Sequence, residues 1–508
     1  MENLETITAE AVAIDSASAN PRPRRKKVPR GIGAKLPLIF LVTAVVFYLL
    51  TFLHLRADFP SQTHWPDPTR FAGEGFYAAA PLHHTLQHLW LLPASANSAV
   101  AMPVWPLLLT PWLKLTTIGM AATRTLMLLF FGGSLTFLYL LLRQHHRGPL
   151  PAIALFLVTI NPFSYAFNRL AILEPLIVLW LMLGLWVASK TREQDLWKQI
   201  VLGLILATSI LTRPTAIFLA PAVLYLLATT IGWAENRWRR PVQITSGVAG
   251  VILFAYLLTV LFTGHFADLH ALITSGHDSW SFLPRSPLAA LASGIWISRA
   301  LYPSALILVL LSTFWLRELW RLPLYGAMVT ALAGTLAFAA FHTTVQPHFY
   351  LLLLMPVVAI VLLGIDALWT RKLDGIAGLL ATIVAISAIA MIVKTIHFTL
   401  KPTYTYASAA DGIAAIIRAD STANPLLLST SGDDITLFTT LPAINQQLTT
   451  HGLDPLLGRY YPGWYLAWEG ADDDQTKLIA QRYRLNERAR YKVFDDPTHD
   501  SLVLYRLE

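Results

Sequence analysis

The chain reads as an all-α polytopic membrane protein that ends in a small α/β domain, and three observations predict this. Its apolar residues recur in runs of about twenty, the length that crosses the hydrocarbon core of a bilayer. Of its 508 residues only 13% are charged and 55% are hydrophobic, far from the balance of a soluble domain. Beyond about residue 400 the charges become frequent and the apolar runs shrink to strand length. Cysteine is absent, which excludes a disulfide framework, a thiol nucleophile and an iron–sulfur site. The net charge of +8 does not point to nucleic acid, because the basic residues sit where membrane topology places them.

Residues 1–33 form a polar tail expected to be disordered, closing on Arg22, Arg24, Arg25, Lys26, Lys27 and Arg30. A cleavable signal peptide is not expected: the apolar run starts only near Leu36, is long, and has no small-residue cleavage pattern behind it. The basic cluster anchors a first helix over about 36–55 and holds the tail in the cytoplasm. Residues 56–120 then read as a long polar, aromatic-rich loop containing GEGFYAAAPLHH. Apolar segments follow at about 121–142, 149–166, 171–189, 200–213, 215–232, 242–263, 301–316, 323–341, 349–369 and 376–398, which makes about eleven crossings.

The charges of the connections test this count. Alternation from a cytoplasmic start places Arg143 and Arg147, Lys190, Arg192 and Lys198, Arg237, Arg239 and Arg240, Arg317 and Arg321, and Arg371 and Lys372 inside. Every inside connection is thus basic, although the outer connections are longer. The loop 56–120, the turn near Arg169, the loop 264–300, the connection 342–348 and residues 401–508 then share the outer face. In the last segment TYASAADGIAAIIRADS and DDQTKLIAQRYRLNERAR read as helices, PLLLSTS as a buried strand, and RYKVF with SLVLYRL as a closing strand pair. The acids of SGDD and GADDDQ read as caps and first-turn charges rather than metal ligands.

Polar groups near membrane depth are functional candidates by default. Glu74 lies among Trp65, Phe71, Phe76 and Tyr77, aromatic surroundings that suit stacking on a sugar ring. Arg169 and Glu174, five residues apart where a helix opens, either line one polar cavity or pair with each other. Arg213 precedes the helix-breaking Pro214, at a place where a guanidinium suits a phosphate or snorkels to headgroups. His348 and Tyr350 open the tenth segment and are placed to touch a donor phosphate. His84 and His88 have metal-like spacing but no HExxH accompanies them, so interfacial hydrogen bonding is the simpler reading. One carboxylate to take a proton and one or two arginines for a phosphate leaving group are the minimum for sugar transfer from a lipid phosphate.

The order of these motifs resembles the GT-C superfamily of integral membrane glycosyltransferases, in particular the branch holding protein O-mannosyltransferases and lipid A aminoarabinose transferases. Glu74 of GEGFY matches the second acid of that branch's first-loop motif, and Gly73 replaces the first. MPVWPLLLTPW…ATRTLMLL resembles its proline-rich stretch with a downstream arginine. Arg169 and Glu174 match its Arg-x4-acid motif. Leu211-Thr212-Arg213-Pro214-Thr215 resembles its Leu-Thr-Lys motif with arginine for lysine. In PHFYLLLLMP His348 stands where the branch has arginine. The resemblance spans roughly residues 36–400 and implies a GT-C domain over about 34–400, while the extracytoplasmic α/β domain expected over 401–508 is read from its charge and short apolar runs. It also implies an inverting transferase moving a sugar from a polyprenyl-phosphate donor to a lipid, glycan or protein acceptor. Glu74 is then the base, Arg169, Glu174, Arg213, His348 and Tyr350 lie toward the donor, and Tyr77 and Trp65 toward the acceptor. With one acid of two missing, no cofactor is expected and a divalent cation is not favoured. The expected location is a bacterial inner membrane, with the C-terminal domain periplasmic or extracellular. The alternatives are a polysaccharide polymerase or ligase, and a lipid-linked-sugar transporter. The transporter usually carries internal repeats, and no convincing repeat is visible here.

Overall fold

A computed structural model describes residues 32–58, 74–88, 98–146, 148–232, 236–274, 287–342, 346–445, 453–493 and 500–508. The tail 1–31, with its basic cluster, and Trp65, Phe71 and Gly73 of the first loop lie outside the described residues.

The chain is a polytopic helical membrane protein with a small sheet at its C-terminal end. All eleven expected segments are helical. Six of the described helices are long and apolar enough to cross a bilayer: Met120–His145, Pro214–Ile231, Arg239–Phe262, Pro323–Phe341, Pro347–Thr370 and the one starting at Asp374. The other five expected segments appear as shorter apolar helices: Lys35–Leu50, Leu150–Thr159, Glu174–Ala188, Leu196–Thr212 and Leu301–Phe314. At about 1.5 Å per residue such helices fall short of a hydrocarbon core of about 30 Å. Length alone therefore counts six crossings where hydropathy expects eleven.

Prolines explain part of the shortening. The helix from Leu150 ends before Asn161-Pro162, where the Asn161 side chain accepts the Phe163 N–H at 2.8 Å and starts a new short helix, Pro162–Phe167. The helix Leu196–Thr212 ends at Arg213, whose extended backbone leads into the 3-10 turn Pro214–Leu219.

Helix Leu351–Thr370 is the axis of the bundle, with an unbroken buried run from Leu351 to Ile365. Peripheral helices instead turn bulky apolar side chains outward. Val251, Phe254 and Leu261 do so on one, and Leu379, Ile386, Ile389 and Val393 on another. In water such faces would be a liability; in lipid they are the solvated surface.

The described residues of the first loop are largely helical. Its described part holds the helices Glu74–Gln87, Ser98–Ala101 and Val104–Leu115. The alanines at 78, 79 and 80 are good helix formers and are buried, so packing supplies what a polar composition hides.

The C-terminal helix Thr405–Ala419 forms as expected, and its first turn is held by an earlier segment. Asp58 accepts the N–H of Thr405 at 2.6 Å and that of Tyr406 at 3.1 Å, and Arg56 bonds Asp411 at 2.8 Å. Five strands follow: β1 (Leu427–Ser429), β2 (Ala443–Asn445), β3 (Trp464–Trp468), β4 (Leu485–Lys492) and β5 (Ser501–Leu507). Their order is β2-β1-β3-β5-β4, with β1 parallel to β2 and β3, and β5 antiparallel to β3 and β4. The second expected helix needs correction: it stops at Ala480, and LNERAR belongs to edge strand β4. Glu, Arg and Ala favour a helix in isolation, but pairing with β5 overrides that preference.

Candidate active site

Glu74, Glu174, Arg213 and His348, singled out by sequence, meet with Arg124 at one end of the bundle, where they form two buried acid–arginine pairs joined by one helix. Glu74 opens the helix Glu74–Gln87 and is 6% exposed. Arg124, on the helix Met120–His145, grips it from both nitrogens of its fork: Nε reaches Oε2 at 2.9 Å and a terminal nitrogen bonds Oε1. The Ala171 N–H donates to Oε2 at 2.6 Å. Arg124 is itself fixed by the carbonyls of Leu55 at 2.8 Å and Ala57 at 2.7 Å. A bidentate pair of this kind sets the direction of a carboxylate as well as its charge.

The second pair is Glu174 with Arg213, each 1% exposed. His348 brings Nε2 to 3.7 Å from Glu174 Oε1. The Arg213 guanidinium lies over Phe349, 4.6 Å from the ring centroid, and 5.8 Å from that of Tyr77. Tyr77 is one helical turn from Glu74, so the helix Glu74–Gln87 touches both pairs. The turn 168–173 links them a second time, since Ala171 binds Glu74 and Glu174 follows three residues later.

Arg169 does not pair with Glu174. It donates to the Tyr165 hydroxyl at 2.9 Å and to the His54 carbonyl, and its guanidinium sits 5.2 Å over the Tyr165 ring. Burial pushes its pKa down to about 10, with Arg124 adding to the shift and Tyr165 and Glu74 opposing it. It therefore stays cationic at neutral pH. Tyr350 turns aside: its hydroxyl donates to the Ala290 carbonyl at 2.9 Å and its ring meets Trp296 edge-on. Trp65 lies outside the described residues.

Three contributors escaped the sequence reading as site residues, and a fourth, Arg124, entered it only as the arginine downstream of the proline-rich stretch. Arg124 carried a usable signal, as the one charged residue between Met120 and Leu142. Asp433, Asp434 and His83 carried none. Asp434 Oδ1 accepts the Gly75 N–H at 2.7 Å, and Asp433 Oδ1 lies 3.2 Å from His83 Nε2. The SGDD acids do stand in the first turn of a helix, Gly432–Thr439, but they are buried against the Glu74 helix rather than solvated.

Burial pushes the Asp434 carboxyl well above the usual range; the charges of Glu74 and Asp433 add to this, while the Gly75 N–H and Arg124 oppose it. Because the folded value exceeds the unfolded value of about 3.9, folding takes up a proton, and stability falls as pH rises from about 4 through the folded value. Asp434→Asn removes that dependence. Its thermal midpoint should match wild type at pH 4 and exceed it by at least about 2 °C at pH 7; an equal difference at both pH values would refute the assignment.

Among the described residues no group of three or more His, Asp or Glu is arranged to hold a metal ion. Arg124 and Ala171 take three of the roughly four lone-pair positions of Glu74, which fits a divalent cation poorly.

No protein-family model and no curated protein matches the sequence. Solved structures do match the fold. ArnT from Cupriavidus metallidurans bound to undecaprenyl phosphate superposes with a TM-score of 0.60 at 13% identity, covering 92% of this chain and 97% of that one. Apo ArnT gives 0.58 at 15%, with the same coverage. The Archaeoglobus fulgidus oligosaccharyltransferase in complex with Zn and sulfate gives 0.54 at 11%, covering 88% of this chain and 69% of that one. Over 92% of its length the chain therefore shares the fold of ArnT, a likeness that is one of fold alone at this identity.

Proposed function

We infer that the protein is an inverting glycosyltransferase that moves a sugar from a polyprenyl-phosphate donor to a hydroxyl of a lipid, glycan or protein at the outer face of the membrane. The observation that carries this reading is the convergence of Glu74, Arg124, Arg169, Glu174, Arg213 and His348, from segments far apart in the chain, at one end of the bundle. The undecaprenyl phosphate bound to ArnT supports the donor class.

A carboxylate offers about four lone-pair positions. Arg124 and Ala171 occupy three of those on Glu74, which leaves one on Oε1 for the acceptor hydroxyl. Glu74 takes that proton as the acceptor oxygen bonds to the anomeric carbon. The bond from that carbon to the phosphate oxygen breaks on the opposite face, so the configuration inverts and polyprenyl phosphate departs with the electron pair. Arg213, which shares Glu174 Oε1 with His348, and Arg169 supply the positive field that stabilises the departing phosphate.

The test is to incubate the purified protein with a panel of polyprenyl-phosphate sugars and membrane extract and to measure polyprenyl phosphate released together with sugar transferred. A transporter moves the lipid-linked sugar intact and releases none. Activity should survive EDTA; its complete loss, restored by Mg²⁺ or Mn²⁺, would overturn the metal-free mechanism.

A further inference from the structure

We propose that the C-terminal domain is part of the catalytic unit, its Asp433–Asp434 pair clamping the Glu74 helix at two points so that the carboxylate is held in its working position. The proposal rests on Glu74 being the base.

The first point is at the start of the helix. Asp434 Oδ1 accepts the N–H of Gly75, the residue next to Glu74, at 2.7 Å in a buried setting. The approach is so close that a Cβ at Gly75 would run into the backbone nitrogen of Asp434 and lie 2.6 Å from the carbonyl carbon of Asp433. Backbone cannot move aside as a flexible side chain can, so the glycine between Glu74 and Phe76 is required by this contact. The second point is about two turns further along, where Asp433, 1% exposed, lies 3.2 Å from His83 Nε2. Asp434 thus hydrogen-bonds the start of the helix, and the adjacent Asp433 stands at ion-pairing distance from His83 about two turns on, without a hydrogen bond between them.

The clamp acts on the base rather than on a substrate. Its effect passes through the backbone at Gly75 to Glu74, whose grip by Arg124 and Ala171 demands a defined position of the helix start. A displacement of about 1 Å at a reacting group is enough to cost on the order of a hundredfold in rate. The clamp is also anchored from the membrane side, because Asp58 and Arg56 bind the helix Thr405–Ala419 of the same domain.

The test compares Asp434→Asn, which keeps the acceptor oxygen, with Asp434→Ala, which removes it, in the full-length protein. Asp434→Ala should lower kcat at least tenfold and leave KM for the lipid-linked donor within twofold, while Asp434→Asn retains at least a third of wild-type kcat. Wild-type kcat in Asp434→Ala, or equal losses in both variants, would overturn the clamp. If Asp434→Ala does not fold, His83→Gln carries the test by releasing the second point alone. It should lower kcat three- to tenfold at unchanged donor KM, and wild-type kcat there overturns the clamp. Full activity in Glu74→Gln would instead remove the base assignment, a failure readable apart from either clamp result.

Discussion

Glu74→Gln lowers the rate of sugar transfer by about 10²–10⁴-fold, the usual contribution of a positioned general base, while the protein still folds and binds its donor. The amide is nearly isosteric with the carboxylate. Its oxygen, in the place of Oε2, keeps the contacts with Arg124 Nε and the Ala171 N–H, but its NH₂ offers no lone pair to a hydroxyl proton. Replacing a buried carboxylate beside a buried guanidinium also leaves Arg124 without a counter-charge, so some stability is lost. The measurement must therefore separate chemistry from folding: single-turnover transfer with donor prebound, beside a thermal midpoint and a donor titration. Unchanged single-turnover transfer would take Glu74 out of the mechanism.

Arg213→Ala has two effects of different origin. Glu174 and Arg213 are both almost fully buried, and removing one member of such a pair leaves the other charge uncompensated, at a cost of about 3–5 kcal/mol. Donor affinity should fall as well, by at least about tenfold, the equivalent of one charge-assisted hydrogen bond. The double variant Arg213→Met with Glu174→Leu separates the two. It buries no lone charge, so stability returns toward wild type, while donor affinity stays low. Wild-type donor affinity in a folded variant lacking Arg213 would assign the arginine to packing alone.

Legibility differed sharply between parts of the chain. The apolar helices were readable because hydropathy over about twenty residues is a local property and the bilayer imposes it. The two arginines at 169 and 213 and the acids at 74 and 174 stood out for the same reason: a charge in apolar surroundings is conspicuous. Their partners were not readable. Arg169 and Glu174, five residues apart, invite pairing, yet Arg169 binds Tyr165 and the His54 carbonyl while Glu174 binds Arg213. Tyr350, adjacent to the Phe349 that covers Arg213, spends its hydroxyl on Ala290. Within the C-terminal domain LNERAR has helix-forming residues but lies in β4, since a strand at a sheet edge takes its conformation from the neighbour it pairs with.

The amino-acid order alone settled the class of the molecule, the place of its apolar helices and most of the conspicuous charges, because each depends on composition within one or two turns of helix. The folded chain alone decided which acid meets which arginine, and that Asp433 and Asp434, far along the chain, lie against the helix that Glu74 opens. Those are contacts between surfaces far apart in the chain, and no local pattern records the partner on the other side.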